Sequence, residues 1–139
     1  MKFPYQKFIL GGQDPNRPLV ARPFVPVYLC GNTKKTRSPY FALLDSGADR
    51  VLFPADLAVE VGIEKIEIGK LEPAVGISNQ KADVYYHKLS LQVLGDMRTF
   101  PIDVGFSRQI SIPLLGRSFF RQFKVVMFNE LKGEVELKY

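Results

Sequence analysis

The clearest indication of the fold of this 139-residue chain is the sequence Tyr40-Phe41-Ala42-Leu43-Leu44-Asp45-Ser46-Gly47-Ala48-Asp49. Its unbroken apolar run, residues 40–44, predicts a strand that is buried on both faces, and the run ends abruptly at an acid, a hydroxyl and a glycine. A carboxylate at the mouth of a buried strand is partly desolvated, which alters its affinity for a proton. Asp45 is therefore the first candidate for chemistry, although Asp-Ser-Gly by itself is more often a plain surface turn.

A second element of similar character lies far downstream. The stretch Ile112-Pro113-Leu114-Leu115-Gly116-Arg117 begins as an apolar strand, turns at glycine and leads into residues 118–123, which predict one or two helical turns. Taken alone, it is an ordinary strand followed by a helix. After Asp49 the chain returns at once to apolar residues, 51–54, so the Asp45 turn lies between two core elements.

The remaining pattern is mostly that of short strands. Residues 20–30 predict a strand that its two prolines restrict to a sheet edge, and Pro54–Val61 predicts a short helix stopped by Gly62. Period-two alternation over 66–106 predicts a run of hairpins, and residues 124–137 predict a last hairpin around Lys132-Gly133. Many short strands with two brief helices favour an all-β, closed or half-closed barrel over a sandwich.

Composition limits the class of protein. Hydrophobic residues make up 46% and charged residues 24% of the chain, as in one ordinary globular domain. The single cysteine, Cys30, excludes an internal disulfide, and no Cys/His cluster has metal-ligand spacing, so we expect no metal and no other cofactor. The start of the chain, residues 1–10, is not typical of a signal peptide, and no apolar run approaches membrane-spanning length. We therefore expect a soluble, cytoplasmic protein without a membrane partner.

The excess of basic residues has little pattern. Lys and Arg number 19 against 14 Asp and Glu, which gives a net charge of +5 and a pI near 9.4. Only Lys34, Lys35 and Arg37 cluster, and their setting favours a solvated hairpin turn over a nucleic-acid patch. We therefore expect no nucleic-acid partner. The lone histidine, His87, has no nucleophile motif beside it and is predicted to be structural.

Two elements of this sequence together resemble those of retropepsins, the single-domain, retroviral-type aspartic proteases. They are Leu43-Leu44-Asp45-Ser46-Gly47-Ala48-Asp49 and Leu114-Leu115-Gly116-Arg117. The likeness to bacterial members extends over most of the chain from about Val20 onward. It implies an all-β, single-domain closed barrel with a flap hairpin and one or two short helices. We accordingly divide the chain into an N-terminal extension, 1–19, and a protease domain, 20–139.

The resemblance also implies roles for individual residues. Asp45 matches the catalytic position, and Ser46 stands where threonine is commoner in retroviral members. The other implied substrate-binding or supporting residues are Gly47, Ala48, Asp49, Leu114, Leu115, Gly116 and Arg117, with Asp49 and Arg117 expected to form an ion pair beneath the cleft. The flap tip is expected near Val75-Gly76-Ile77-Ser78-Asn79, where a single glycine replaces the more typical glycine-rich tip.

These expectations lead to one main hypothesis and two alternatives. The main hypothesis is an aspartic endopeptidase that cleaves extended peptide or protein substrates. Because the chain has one Asp-Ser-Gly element and the chemistry needs both an acid and a base, two copies must form a homodimer. The first alternative is a dimeric peptide-binding or assembly module of the same fold with little or no catalysis. The second, a basic barrel that binds nucleic acid, is supported only by the charge.

Overall fold

The structure is a computed structural model that describes residues 1–9, 19–76 and 78–139. The strands are, in chain order, β1 (Lys2–Pro4), β2 (Gln6–Ile9), β3 (Leu19–Arg22), β4 (Phe24–Cys30), β5 (Tyr40–Leu44), β6 (Val51–Pro54), β7 (Lys70–Val75), β8 (Lys81–Val93), β9 (Thr99–Ser107), β10 (Leu114–Leu115), β11 (Val125–Asn129) and β12 (Glu134–Lys138). Strands account for 52% of the chain and helices for 11%, which confirms the predicted all-β fold.

Six strands close into a barrel. The main sheet runs β4-β5-β10-β6-β9-β8-β7, and an additional pairing of β4 with β8 joins its ends and leaves β7 outside the ring. Strand β8 makes this closure possible because it is long enough to pair with β7 near its start, with β9 over most of its length and with β4 near its end. The structure thus confirms the predicted closed barrel.

The expectation that residues 20–30 form an edge strand is wrong. Strand β4 pairs with β5 through Phe24–Val27 and with β8 through Val27–Cys30, so both of its edges are used. Pro26 is tolerated because its carbonyl accepts the backbone N–H of Leu94, just beyond the end of β8. Pro26 has no N–H to donate, but the pairing with β8 has already ended at this position, so no ladder hydrogen bond is lost.

Strand β5 is also less buried than its sequence predicts. The side chains of Ala42 and Leu44 lie in the core, whereas Phe41 on the opposite face is 49% exposed. A barrel has one interior, so alternate side chains of a barrel strand must face outward even where all of them are apolar. The prediction of burial on both faces is therefore wrong, although the strand itself is confirmed.

The barrel interior is filled by inward-facing side chains from every strand of the ring. The largest fully buried aromatic side chains, Phe53, Phe106 and Phe119, come from β6, β9 and the helix after β10. Phe119 also packs beside the rings of Phe100 and Phe123, with centroids 5.8 and 5.1 Å away. Each such burial contributes about 1.5–3 kcal/mol, so the aromatic cluster holds the downstream helix firmly on the barrel.

The helical predictions are confirmed in outline. Residues Ala55–Val61 form a 3₁₀ helix that ends at Gly62, whose φ of 87° is the left-handed conformation that glycine favours. Helix α1 (Arg117–Phe120) lies where one or two helical turns were predicted. Residues Ile66–Ile68, expected to begin the hairpin region, form a short 3₁₀ turn instead. Within the described ranges, no helix is both long and apolar enough to cross a membrane.

The two ends of the chain meet in a separate three-stranded sheet with the order β1-β12-β11. The predicted last hairpin is confirmed as β11 and β12, and β1 pairs with β12 through Lys2 and Glu136. The boundary between residues 19 and 20 stays a prediction: segment 1–19 includes β1 and β2, and its residues 10–18 lie outside the described part.

Candidate active site

Asp45 lies at the end of β5, where the chain leaves the barrel wall. Its backbone N–H donates to the carbonyl of Leu115 at 3.0 Å, which continues the β5–β10 pairing by one residue. Its carboxylate Oδ1 accepts the backbone N–H of Gly47 at 2.9 Å, and its carbonyl accepts the N–H of Ala48 at 3.2 Å. The half-buried carboxylate is therefore fixed by the turn that follows it, while Ser46 at the turn's outer edge is exposed.

The position of β10 explains how the two sequence elements come together. Leu114 and Leu115 insert between β5 and β6, pairing in parallel with the first and antiparallel with the second. Strands β5 and β6 are consecutive in the chain, so the loop joining them, residues 45–50, must pass around the end of β10. The structure thus brings the predicted residues 45–49 and 114–117 into one site.

Backbone hydrogen bonds fasten this loop to the segment after β10. The N–H groups of Gly116, Arg117 and Ser118 donate to the carbonyls of Arg50, Ala48 and Asp49 at 3.1, 2.8 and 2.9 Å. Only glycine fits at position 116, since a Cβ there would lie 2.3 Å from the Arg50 carbonyl oxygen and 2.5 Å from that of Ala48. The glycine of the downstream element is therefore what permits the two segments to touch.

The predicted ion pair between Asp49 and Arg117 is not formed. The two residues are neighbours through their backbones, but both side chains are exposed, and no ion pair links them among the residues that the structure describes. The prediction assumed a half-buried arginine, which needs a carboxylate partner. An exposed guanidinium is satisfied by water, so this prediction is wrong for the single chain.

The described flap residues, Val75, Gly76, Ser78 and Asn79, lie at the end of β7 and in the turn that follows it. Val75 ends β7 with 61% of its surface exposed, and the Gly76 N–H donates to the Gln80 carbonyl at 3.0 Å to close the turn. Asn79 adopts a φ of 58° within that turn. Ile77 lies outside the described residues. In the described part of the hairpin, the tip makes no hydrogen bond to residues 45–50.

Arg50 is the residue that sequence reasoning missed. Its guanidinium contacts Glu72 on β7 at 2.9 Å and Asp103 on β9 at 3.8 Å, and it lies over the ring of Tyr86 with the Cζ atom 4.6 Å from the centroid. Burial raises the pKa of Tyr86, and the neighbouring Arg50 charge opposes that shift. Arg50 thus links the Asp45 loop to the base of the hairpin. No sequence signal pairs these residues, because their contact depends on the sheet order.

His87 has the structural setting that was expected of it. Its Nε2 lies 2.8 Å from the Ile66 carbonyl, and its ring packs edge-on against Phe106. The described ranges contain no group of His, Cys, Asp and Glu side chains placed to hold a metal ion.

The fold of this chain is also found in solved structures of other proteins. The chain is similar in structure to a retropepsin-like aspartic protease from Rickettsia conorii, with a TM-score of 0.63 and 16% identity over 100% of this chain and 94% of that one. It is also similar to the retroviral protease-like domain of Ddi1 from Leishmania major, with a TM-score of 0.56 and 15% identity over 85% and 89% of the two chains.

A third similar structure is EIAV protease in complex with the inhibitor HBY-793, with a TM-score of 0.54 and 16% identity over 81% of this chain and 93% of that one. No protein-family model matches the sequence, and no curated protein matches it. These similarities show that the chain has the retropepsin-like fold.

Proposed function

We propose that this protein is an aspartic endopeptidase that acts as a homodimer, with one Asp45 carboxylate from each protomer. The observation that carries the proposal is the placement of Asp45: a carboxylate fixed by Gly47 at the mouth of β5, in a loop closed by the segment after β10, within a fold shared with aspartic proteases. Ser46, Ala48 and Asp49 would line the same loop, and Arg117 would flank it.

The chemistry requires two carboxylates. One must take a proton from the attacking water while the other gives a proton to the peptide carbonyl, and a single protomer offers one Asp-Ser-Gly turn. Two carboxylates at roughly 3 Å cannot both ionise, so the pair shares one proton and titrates as a unit. Because the carboxylates activate the water themselves, we expect activity to persist in the presence of a chelator.

The substrate in this proposal is an extended peptide. The β7–β8 hairpin, with Val75 and Gly76 in the described part of its tip, would close over the peptide and offer backbone hydrogen bonds, as an added strand does. The exposed apolar Val75 suits contact with a substrate or with the second protomer's hairpin. We further propose a reducing, cytoplasmic location, in keeping with the free thiol of Cys30.

The test is proteolysis of a denatured peptide library by the wild type, by Asp45→Asn and by the matched control Asp56→Asn, an exposed aspartate in the 3₁₀ helix Ala55–Val61. We expect Asp45→Asn to lose about 10²- to 10⁴-fold in rate, since an amide cannot share the proton, and the control to retain full activity. A bell-shaped pH profile should accompany activity. A catalytically inactive peptide-binding module would instead bind peptide without cleavage in all three proteins.

A shared site has a second consequence that can be measured. Specific activity should fall on dilution, at the concentration where light scattering shows dissociation, and excess Asp45→Asn protein should inhibit the wild type by forming mixed dimers. Constant specific activity in a fully monomeric sample would contradict the shared site.

A further inference from the structure

A basic pocket lies on the barrel away from the Asp45 loop. It has a volume of about 660 Å³ and lies between the turn that precedes β5, residues 31–39, and the 3₁₀ helix Ala55–Val61. Its polar lining residues are Lys34, Lys35, Arg37, Ser38, Tyr40 and Glu60. Tyr40 begins β5 and Asp45 follows its end, so about 16 Å separates them at the rise of an extended strand.

The turn that carries the basic residues is held firmly on the barrel. Thr36 is only 3% exposed, and it exchanges hydrogen bonds with Leu29: its N–H donates to the Leu29 carbonyl at 3.0 Å, and its Oγ1 accepts the Leu29 N–H at 3.2 Å. Gly31 lies so close to the 3₁₀ helix that a Cβ there would be 2.3 Å from the carbonyl oxygen of Val61. The cationic side chains on either side of Thr36 therefore project from a fixed backbone.

The pocket has an excess of positive charge. Lys34 and Arg37 are exposed, and within the described part of the chain neither side chain forms an ion pair. Lys35 lies 4.1 Å from the centroid of the Tyr28 ring and donates to Gln92, which fixes the position of its ammonium group. Glu60, the carboxylate in the lining, already accepts the hydroxyl of Tyr40. Three cations and one carboxylate leave two net positive charges.

We propose that this pocket binds a phosphate monoester. Such a group carries about −1.5 to −2 charges at pH 7, which matches the pocket's net charge. The Arg37 guanidinium can donate two parallel hydrogen bonds to phosphate oxygens, and the Lys34 ammonium and the Ser38 hydroxyl offer further donors. A volume of about 660 Å³ is in the range of small-molecule sites and exceeds what phosphate alone would fill, so the ester carries an organic body.

A nucleic acid fits this surface less well. Its phosphodiesters carry one charge each and are usually bound along a stripe of basic residues with aromatic side chains that stack on bases. Here the clustered cations line one pocket, and the Tyr28 ring is covered by Lys35. The organic body is therefore that of a small metabolite or of a phosphorylated side chain.

The experiment is calorimetric titration of the full chain in phosphate-free buffer at pH 7.5. The probes are glycerol 3-phosphate, the tripeptide Ac-Gly-pSer-Gly-NH₂, its unphosphorylated form and a single-stranded oligonucleotide. The pocket variant is Lys34→Gln/Arg37→Gln. Its matched control is Arg121→Gln/Lys124→Gln, which removes the same charges from exposed residues elsewhere. Asp45→Asn serves as a second control, and thermal melting checks that every variant is folded.

We expect saturable binding of at least one phosphate ester, weakened tenfold or more in the pocket variant and less than twofold in the matched control. Binding by Asp45→Asn should equal that of the wild type, which separates this site from the proposed protease activity. The tighter of the two ester probes identifies the carrier. Equal weakening in the control variant, equal binding of the unphosphorylated tripeptide, or tighter binding of the oligonucleotide through Lys34 and Arg37 would overturn the proposal.

Discussion

The loop that carries Asp45 and the tip of the β7–β8 hairpin are held in very different ways. The loop is fastened by backbone hydrogen bonds from Gly116, Arg117 and Ser118, which follow a buried strand. The described part of the hairpin tip has hydrogen bonds only within its own turn, between Gly76 and Gln80 and between Gly76 and Asn79. In the described residues, the one side-chain ion pair that joins the hairpin to the Asp45 loop is that of Arg50 with Glu72.

In the single chain, the Asp45 loop is therefore held more firmly than the hairpin tip. Backbone hydrogen bonds to buried neighbours give the Asp45 loop a fixed geometry. A hairpin tip with exposed side chains and no tertiary bonds opens at little cost in free energy. The single chain therefore fixes the Asp45 loop in place, whereas the described part of the hairpin tip has no tertiary hydrogen bond.

Two glycine substitutions should differ in their effect on the unfolding free energy. In Gly116→Ala the new Cβ would lie 2.3 Å from a backbone oxygen of Arg50, so the loop must shift, and we expect a loss of about 1–3 kcal/mol or more in unfolding free energy. In Gly76→Ala the nearest atom is 3.9 Å away, and we expect a change within about 0.5 kcal/mol. Urea denaturation measures both. Equal stability of the two variants would refute the contrast.

The Arg50–Glu72 ion pair should control how easily the hairpin opens. In Arg50→Gln and in Glu72→Gln we expect faster hydrogen exchange along β7, with no further increase in the double variant. The coupling energy should be at most about 1 kcal/mol, because the two side chains are 40% and 34% exposed.

Glu134→Gln is the matched control for these variants. It breaks the Lys2–Glu134 pair in the other sheet and should leave exchange in β7 unchanged. Unaltered exchange in β7 after Arg50→Gln would mean that this ion pair does not hold the hairpin.

High pH should loosen the opposite end of β5. Burial and a hydrogen bond to Glu60 raise the pKa of Tyr40 from 10.0 to about 12. Its contribution to stability is therefore complete below pH 10 and is lost as pH rises toward 12. We expect the unfolding free energy to fall over that range, and to fall less in Tyr40→Phe.

Tyr5 and Tyr139 also donate to carboxylates and have pKa values of about 12, so Tyr40→Phe should remove only part of the alkaline loss. The control is Tyr85→Phe, since the structure gives Tyr85 no carboxylate partner in the described part. Urea denaturation at pH 8 and pH 11 compares the variants. An unchanged alkaline loss in Tyr40→Phe would disprove the role of its hydroxyl.

The smallest effect concerns Ser118. Its N–H bonds to the Asp49 carbonyl, but its buried hydroxyl has no hydrogen-bond partner in the described structure. Ser118→Ala keeps the first bond and removes an unsatisfied polar atom, so we expect unchanged stability or a gain of up to about 1 kcal/mol. Thermal melting measures this, with Ser46→Ala at the exposed edge of the turn as the control. A loss above about 1 kcal/mol would argue against it.

Local patterns predicted the strands and turns well. The Asp45 turn, the strand at Leu114-Leu115, the short helices and the last hairpin all lie close to where the sequence places them. Each of these is specified within a few residues by apolar runs, prolines and glycines, so local chemistry is sufficient. The strand pattern alone favoured a closed or half-closed barrel, and the resemblance to retropepsins then indicated a closed one.

Most of the errors depend on contacts between distant parts of the chain. The second neighbour of β4, the outward face of Phe41 and the partners of Arg50 follow from the order of strands around the barrel. The Asp49–Arg117 prediction placed the two backbones together correctly but assumed burial that the single chain does not provide. Burial is a property of the assembled surface, and a motif does not determine it.

The insertion of β10 between β5 and β6 also sets an order in time. Leu44 and Asp49 are synthesised long before Leu115 and Ser118, the residues that pair with them or bond to them. At about 5–20 residues per second, roughly 4 to 14 s pass on the ribosome before those partners exist. Until then the Asp45 loop lacks the segment after β10 that fastens it by backbone hydrogen bonds. Bringing segments so far apart in the chain together is itself slow. A growing chain therefore cannot fasten its Asp45 loop until the segment after β10 has been synthesised.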